Sequence, residues 1–190
     1  MSLEVWSTVA AVGTFLVIAV TAIAALAQLR HMGSRNQLEA VLSLNQEFRS
    51  QELQDALRFI QKDLPSKMED PAFRAELGSR GFIDASVHQE MSACNWFNEM
   101  GTLVKHGLVD ERTFLDLYGR LAAQYWDLLS PAIAILRRNR GSGQYQNFEY
   151  LAIRSRDWLA RYPDGHFPGA ISRLRTDDVW LVHDGQRPPK

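Results

Sequence analysis

The chain has 190 residues, is 46% hydrophobic, and sets 21 Lys and Arg against 22 Asp and Glu, a formal net charge of −1. That length holds one ordinary domain with an appendage, and a domain of that size needs no staples to bury a core. The single cysteine, Cys94, excludes an internal disulfide framework and agrees with a reducing compartment.

The first feature in chain order is a run of 25 uncharged residues, 5–29, of which nineteen are Ala, Val, Ile, Leu, Phe or Trp. About 20 helical residues cross a hydrocarbon core of about 30 Å, so the run is long enough to span with some tilt. Eleven of its residues are Val, Leu, Ile or Phe, which favours insertion by roughly 3 to 7 kcal/mol. A helix apolar on every face has to be buried in protein or in lipid, and the remaining chain is modest in size. Ala25-Leu26-Ala27 resembles a signal-peptide cleavage site. A signal peptide, however, has a basic n-region and a shorter apolar stretch, of about 7–15 residues. Here Glu4 precedes the run, while Arg30 and Arg35 follow it. The expectation is an uncleaved anchor with its N-terminus out and its C-terminal body cytoplasmic, because Lys and Arg stay on the inner side. Outside residues 1–29, whose only charge is Glu4, the chain carries 21 charges of each sign. No basic excess points to a nucleic-acid partner.

Beyond the anchor, apolar residues recur at helical spacing, which predicts an all-α body of about five to six helices over residues 30–162. Leu38, Val41, Leu42 and Phe48 form a first stripe. Ser50 is positioned to cap a helix burying Leu53, Leu57 and Ile60. The stretch DLPSKMEDP, 63–71, reads as a loop, and a short helix over 72–77 stops at Gly78. The central helix is expected over 84–106, with Val87, Met91, Cys94, Phe97, Gly101 and Val104 on one face, widened by Trp96, Met100 and Leu103. Gly107 ends it and Asp110 caps the next. That next helix places Phe114, Leu117, Leu121, Tyr125 and Leu128 inward, with Trp126 nearby. Ser130-Pro131 predicts a kink or restart, since proline costs about 3 kcal/mol inside a helix and is welcome at its first turn. A glycine-rich connector, 139–144, leads to a last helix over about 145–161, with Phe148, Leu151, Ala152, Trp158 and Leu159 inward. The tail, 163–190, is expected to be loosely ordered, with an apolar island at 179–182.

The order of an N-terminal anchor, MGTLVKHGLVDERTF (100–114), YWDLLSPAIAILRR (125–138) and YQNFEYLAIRSRDW (145–158) resembles a bacterial family of single-pass membrane proteins known only as a domain of unknown function. The resemblance covers residues 1 to about 162. It rests on Gly101, Gly107-Leu108, Trp126, Pro131, Phe148-Glu149 and Leu151-Ala152, which are packing and turn residues. It implies an anchor plus a helical domain and carries no catalytic residue with it.

The chain contains no phosphate loop, dinucleotide fingerprint, HExxH, CxxC or GxSxG pattern. His88, Met91 and Cys94 are spaced by three and suggest a soft-metal set, but Met and Cys are ordinary core residues and one helix supplies too few ligands. The histidines at 31, 88, 106, 166 and 183 are scattered. No metal or cofactor is therefore expected. Glu99 and Glu149 lie beside apolar stripes, where two carboxylates serve either as acid and base or as ion-pair partners of Arg137, Arg138 or Arg154. The ion-pair reading is the commoner one. Arg137, Arg138 and Arg140 precede Gly141, where cations favour the end of a helix dipole. Small residues four apart, Ala10 with Thr14 and Thr21 with Ala25, permit close packing against a second copy of the anchor.

The expected protein is thus a non-enzymatic scaffold in the bacterial inner membrane. It contacts the lipid bilayer through residues 5–29 and holds a protein partner or a second copy of itself at the cytoplasmic face. A membrane-acting stress or defence effector and a membrane-associated enzyme are the alternatives.

Overall fold

The computed structural model describes residues 3–180 and, within its long first helix, the side chains of residues 6, 7, 10–25, 28 and 42–48. Those residues form helices and connectors with no strand among them. The all-helical expectation therefore holds, although several boundaries and one buried face differ.

Helix α1, Leu3–Phe48, runs unbroken through the boundary expected at residue 29. Among its described side chains, Leu44 is the one that is buried. The Phe48 ring packs there on Trp96 and Tyr118, at centroid distances of 5.2 and 5.0 Å. Within the expected stripe, Leu42 is 58% exposed. The side chains of Leu38 and Val41, and those of Arg30, His31 and Arg35, lie outside the described residues.

Ser50 caps α2, Gln51–Lys62, by accepting from the Leu53 amide at 3.3 Å. Leu53, Leu57 and Ile60 are buried, as their spacing predicts. The expected loop at 63–71 contains a single turn, α3, Leu64–Lys67. Pro65 falls in its first turn, where a missing N–H leaves no bond unmade. Asp70 then caps α4, Pro71–Leu77, by accepting from Ala72 N at 2.8 Å.

Helix α5, Glu90–Lys105, starts later than the expected residue 84. Asp84 instead folds into a local turn, accepting from the amide and hydroxyl of Ser86 at 2.9 and 2.7 Å. That choice competes with helix formation, as short polar side chains do. Val87 is consequently 42% exposed rather than part of the inner stripe. Met91, Cys94, Phe97, Gly101 and Val104 are buried, with Trp96 and Met100 beside them. Gly107 takes φ +68°, and Asp110 accepts from Thr113 N at 2.8 Å to cap the next helix.

Of the kink or restart expected at Ser130-Pro131, the restart does not occur: α6, Glu111–Arg140, is one helix with Pro131 inside it. Proline leaves the carbonyl of Asp127 without its usual amide donor, and Ser130 Oγ supplies a substitute at 3.2 Å. The buried face also differs from the predicted one. Leu117 and Leu128 are 58% and 36% exposed, while Leu115, Ala122, Leu129, Ala132, Ile133 and Leu136 are inside. Helix α7, Gln146–Arg161, buries Phe148, Leu151, Ala152 and Ser155; Trp158 and Leu159 are half-buried.

Helices α5, α6 and α7 pack together, with α2 against α5 and α4 against α6. The centre is aromatic: Phe97 stacks on Phe148 at 4.7 Å, and Trp126 meets the latter edge-on at 5.1 Å. From 162 to 180 the described chain forms turns and irregular backbone, with Gly165 at φ +84°. The rest of the expected apolar island, 181–182, and His183 lie outside the described residues.

Candidate functional site

Two places in the molecule break the usual rules of burial. The first is α1. Val12, Phe15, Leu16, Val17, Ile18, Val20 and Ile23 are 55–70% exposed. Consecutive positions 15–18 point to all sides of a helix, so no single apolar face is being offered. Thr14 and Thr21 donate back to the carbonyls of Ala10 and Val17, at 2.9 and 2.7 Å. Their hydroxyls therefore need no water. Among the described residues no helix is long and apolar enough to cross a membrane.

The second place is a buried polar cluster where the α4–α5 connector enters α5. His88 and Glu90 are both fully buried. Nδ1 of the imidazole lies 2.9 Å from Glu90 Oε1, and Nε2 lies 3.2 Å from Oε2 of Glu76. The Phe73 ring covers the imidazole at 4.2 Å. Burial holds the Glu90 carboxyl above the ordinary carboxylate range, against the opposing hydrogen bond from His88. Burial, assisted by the Glu90 charge, pushes the Cys94 thiol up as well. Such a thiol stays protonated and is a poor nucleophile at neutral pH. The Tyr145 hydroxyl, raised by burial to about 12, donates to Asn95 Oδ1 at 3.0 Å and meets the Met91 sulfur at 3.7 Å.

The soft-metal set thus has other engagements: carboxylates occupy both nitrogens of His88, and a phenol occupies the sulfur of Met91. Among the described residues no three His, Cys, Asp or Glu side chains are gathered to hold a metal. The two glutamates singled out by sequence have different neighbours. Glu149 pairs with Arg137 at 2.8 Å, whose Nε also donates to the Gln144 carbonyl at 2.9 Å. Glu99 is exposed and lines a cleft of about 200 Å³ with Glu47, Glu52 and Trp96. Arg154 holds Glu111 instead, at 2.6 and 3.0 Å, and this pairing keeps the Glu111 carboxyl below its usual range. Arg140 donates to the carbonyls of Ser79 and Gly81 at 3.1 and 2.9 Å, while Arg138 borders a cleft of about 350 Å³.

Sequence reasoning missed the junction between α5 and α7. Tyr145, the residue before α7, sits at φ 56° and offers no side-chain cap. Asn98 of α5 caps α7 from outside, its Oδ1 accepting from the amides of Asn147 and Phe148 at 3.2 and 3.3 Å. Gly101 permits this approach: a Cβ there would stand 2.0 Å from the Asn147 carbonyl oxygen. The only signal in the sequence was Gly101 within an otherwise bulky helical stripe.

Neither a curated protein nor a solved structure matches the chain. A family model does, over residues 15–155, that of DUF4760, a domain of unknown function. The match begins inside the apolar half of α1 and ends near the close of α7, so it takes in nearly every element described above. The chain belongs to the DUF4760 family.

Proposed function

We propose that the protein is a membrane-tethered helical module. Residues 5–29 cross the bacterial inner membrane with the N-terminus outside, and the cytoplasmic body holds a protein partner without performing a reaction of its own. The observation that carries this reading is the all-round apolar surface of α1 at residues 10–25, which has no protein cover among the described residues. Lipid is the medium that accepts such a surface, and the back-bonded hydroxyls of Thr14 and Thr21 suit it. The uncharged run in the sequence extends beyond this described stretch at both ends. From residue 29 to Leu44, α1 rises roughly 22 Å along its axis, which stands the body away from the headgroups.

Partner binding draws support from α6. Leu117 and Leu128 are exposed, while Leu121, between them in sequence, packs partly against the core, so two leucines of one face stay uncovered. Tethering raises the effective concentration of whatever docks there, so a weak surface suffices.

The test is a paired substitution, Leu16→Arg with Val20→Arg. Each arginine near the middle of a spanning helix costs about 2.5–3.5 kcal/mol. Both positions are exposed and clear of the core, so the thermal melt of the body should stay unchanged while the protein leaves the membrane fraction. Retention of the variant in washed membranes contradicts the anchor. External protease on intact cells checks orientation: it should spare the body, and digestion of the body overturns the topology.

A further inference from the structure

Three arginines close α6, and one of them is left without a partner. Arg137 holds Glu149 and the Gln144 carbonyl at 2.8 and 2.9 Å. Arg140 donates to the carbonyls of Ser79 and Gly81. Arg138 is exposed and has neither a hydrogen bond nor an ion pair among the described residues. It lines the cleft of about 350 Å³ between α4 and α6, across from Arg74. One nitrogen of Arg74 donates to the Met68 carbonyl at 2.7 Å, which fixes the guanidinium and leaves its other N–H groups to spare. Ile135 gives the cleft an apolar wall, and among the described residues no Asp or Glu lines it. The α6 dipole accounts for cations at this end, but not for a cleft that gathers two guanidiniums and no acid. Its charge calls for an anion.

The loop that leaves this cleft carries a second anomaly. Phe82 is 93% exposed, although the backbone on both sides of it is held. Asn139 and Arg140 bond the carbonyls of Gly78, Ser79 and Gly81 before it, and Ile83 after it packs against the core. An aromatic ring presented on an ordered loop is the usual form of an interface anchor, since little ordering remains to be done on binding. Arg80, exposed and unpartnered among the described residues, stands between the held carbonyls.

We propose that the α4–α6 cleft and Phe82 together dock an acidic segment of the partner protein, one that also carries apolar side chains. This rests on the reading of the body as a module that holds a partner, and it gives that partner a chemistry. Carboxylates of the segment pair with Arg138 and Arg74, charge-assisted bonds roughly twice as strong as neutral ones. An apolar side chain of the same segment covers Phe82. A small anion would fill the cleft and leave the ring in water. Lipid headgroups are the poorer occupant, because α1 stands the body away from them. About eight extended residues span roughly 26 Å, enough to lie along the cleft and over the ring.

The test uses the full-length protein in phosphatidylcholine nanodiscs and a fluorescein-labelled peptide of alternating Glu and Leu, read by anisotropy with empty discs subtracted. Binding should saturate and weaken as salt rises from about 0.1 M to 1 M, where the screening length falls from about 10 to 3 Å. Arg138→Ala and Phe82→Ser should each weaken it about fivefold or more. Both side chains are exposed, so the thermal midpoint of the body should not move. Arg112→Ala, at an exposed arginine in the first turn of α6, should leave binding unchanged. No saturable binding overturns the proposal, as does equal binding of the peptide with Lys in place of Glu. Unchanged affinity in either folded variant also overturns it. A protein that stays in washed membranes yet ignores the peptide strikes this docking point alone, whereas one that leaves the membrane strikes the tether.

Discussion

Phe15 and Phe97 are the same residue in opposite circumstances: one is 70% exposed on α1, the other is fully buried between α5, α6 and α7. The contrast extends to their surroundings. The body sorts its apolar side chains inward and ties its polar ones in pairs, whereas residues 10–25 of α1 carry apolar side chains on all sides. Burying an apolar side chain of this size is worth about 1.5–3 kcal/mol. Folding of the body does not collect that gain for the described side chains at 10–25 of α1, and the proposed lipid cover would supply it.

The comparison is broken most sharply by truncating each phenylalanine. Phe97→Ala should destabilise the body by about 3–5 kcal/mol, because a stacked aromatic is replaced by a cavity. Phe15→Ala should leave the body's thermal midpoint unmoved. A similar drop for both would mean that α1 packs on the body. Next in size is Gly101→Ala, which forces α7 away from α5 and should cost about 1–3 kcal/mol in denaturant unfolding. An unchanged midpoint would mean that the backbones are not this close. Asn98→Ala, which uncaps α7 from outside, should cost about 1 kcal/mol. Exchange of the Asn147 and Phe148 amides should accelerate first; equal exchange with and without Asn98 would remove its capping role. The smallest effect belongs to Arg154→Ala. Its pair with Glu111 is partly exposed, so the loss should stay within about 1 kcal/mol and shrink further in salt.

What could be read from the sequence was what one or two neighbouring residues decide. Ser50, Asp110 and Gly107 act as boundaries because capping and left-handed turns are local chemistry. The buried face of α6 was less legible. Tyr125 and Phe114 were placed correctly, but Leu117 and Leu128 drew the stripe round the helix, away from a face lined with Gly119, Ala122 and Ala132. Small residues carry little apolar weight, yet they let α7 approach. At Pro131 the helix does not restart for a different reason: Ser130 bonds the carbonyl that proline orphans, so the dipeptide is tolerated inside one helix.

The candidate sites divide along the same line. The apolar run and the Glu149–Arg137 pairing were within reach of sequence, because each needs only residue type and helix position. The His88–Glu90–Glu76 contact was not, since Glu76 comes from a separate helix and Asp84 delays the start of α5. The motifs of 100–158 that carry the resemblance lie within the family match up to residue 155.

The central claim is that lipid covers the first half of α1, and alkaline carbonate extraction of membranes from cells making the intact protein tests it most directly. The account predicts that the full-length chain stays in the carbonate-washed pellet and enters solution only with detergent. Recovery of the intact, folded chain in the carbonate supernatant would contradict it.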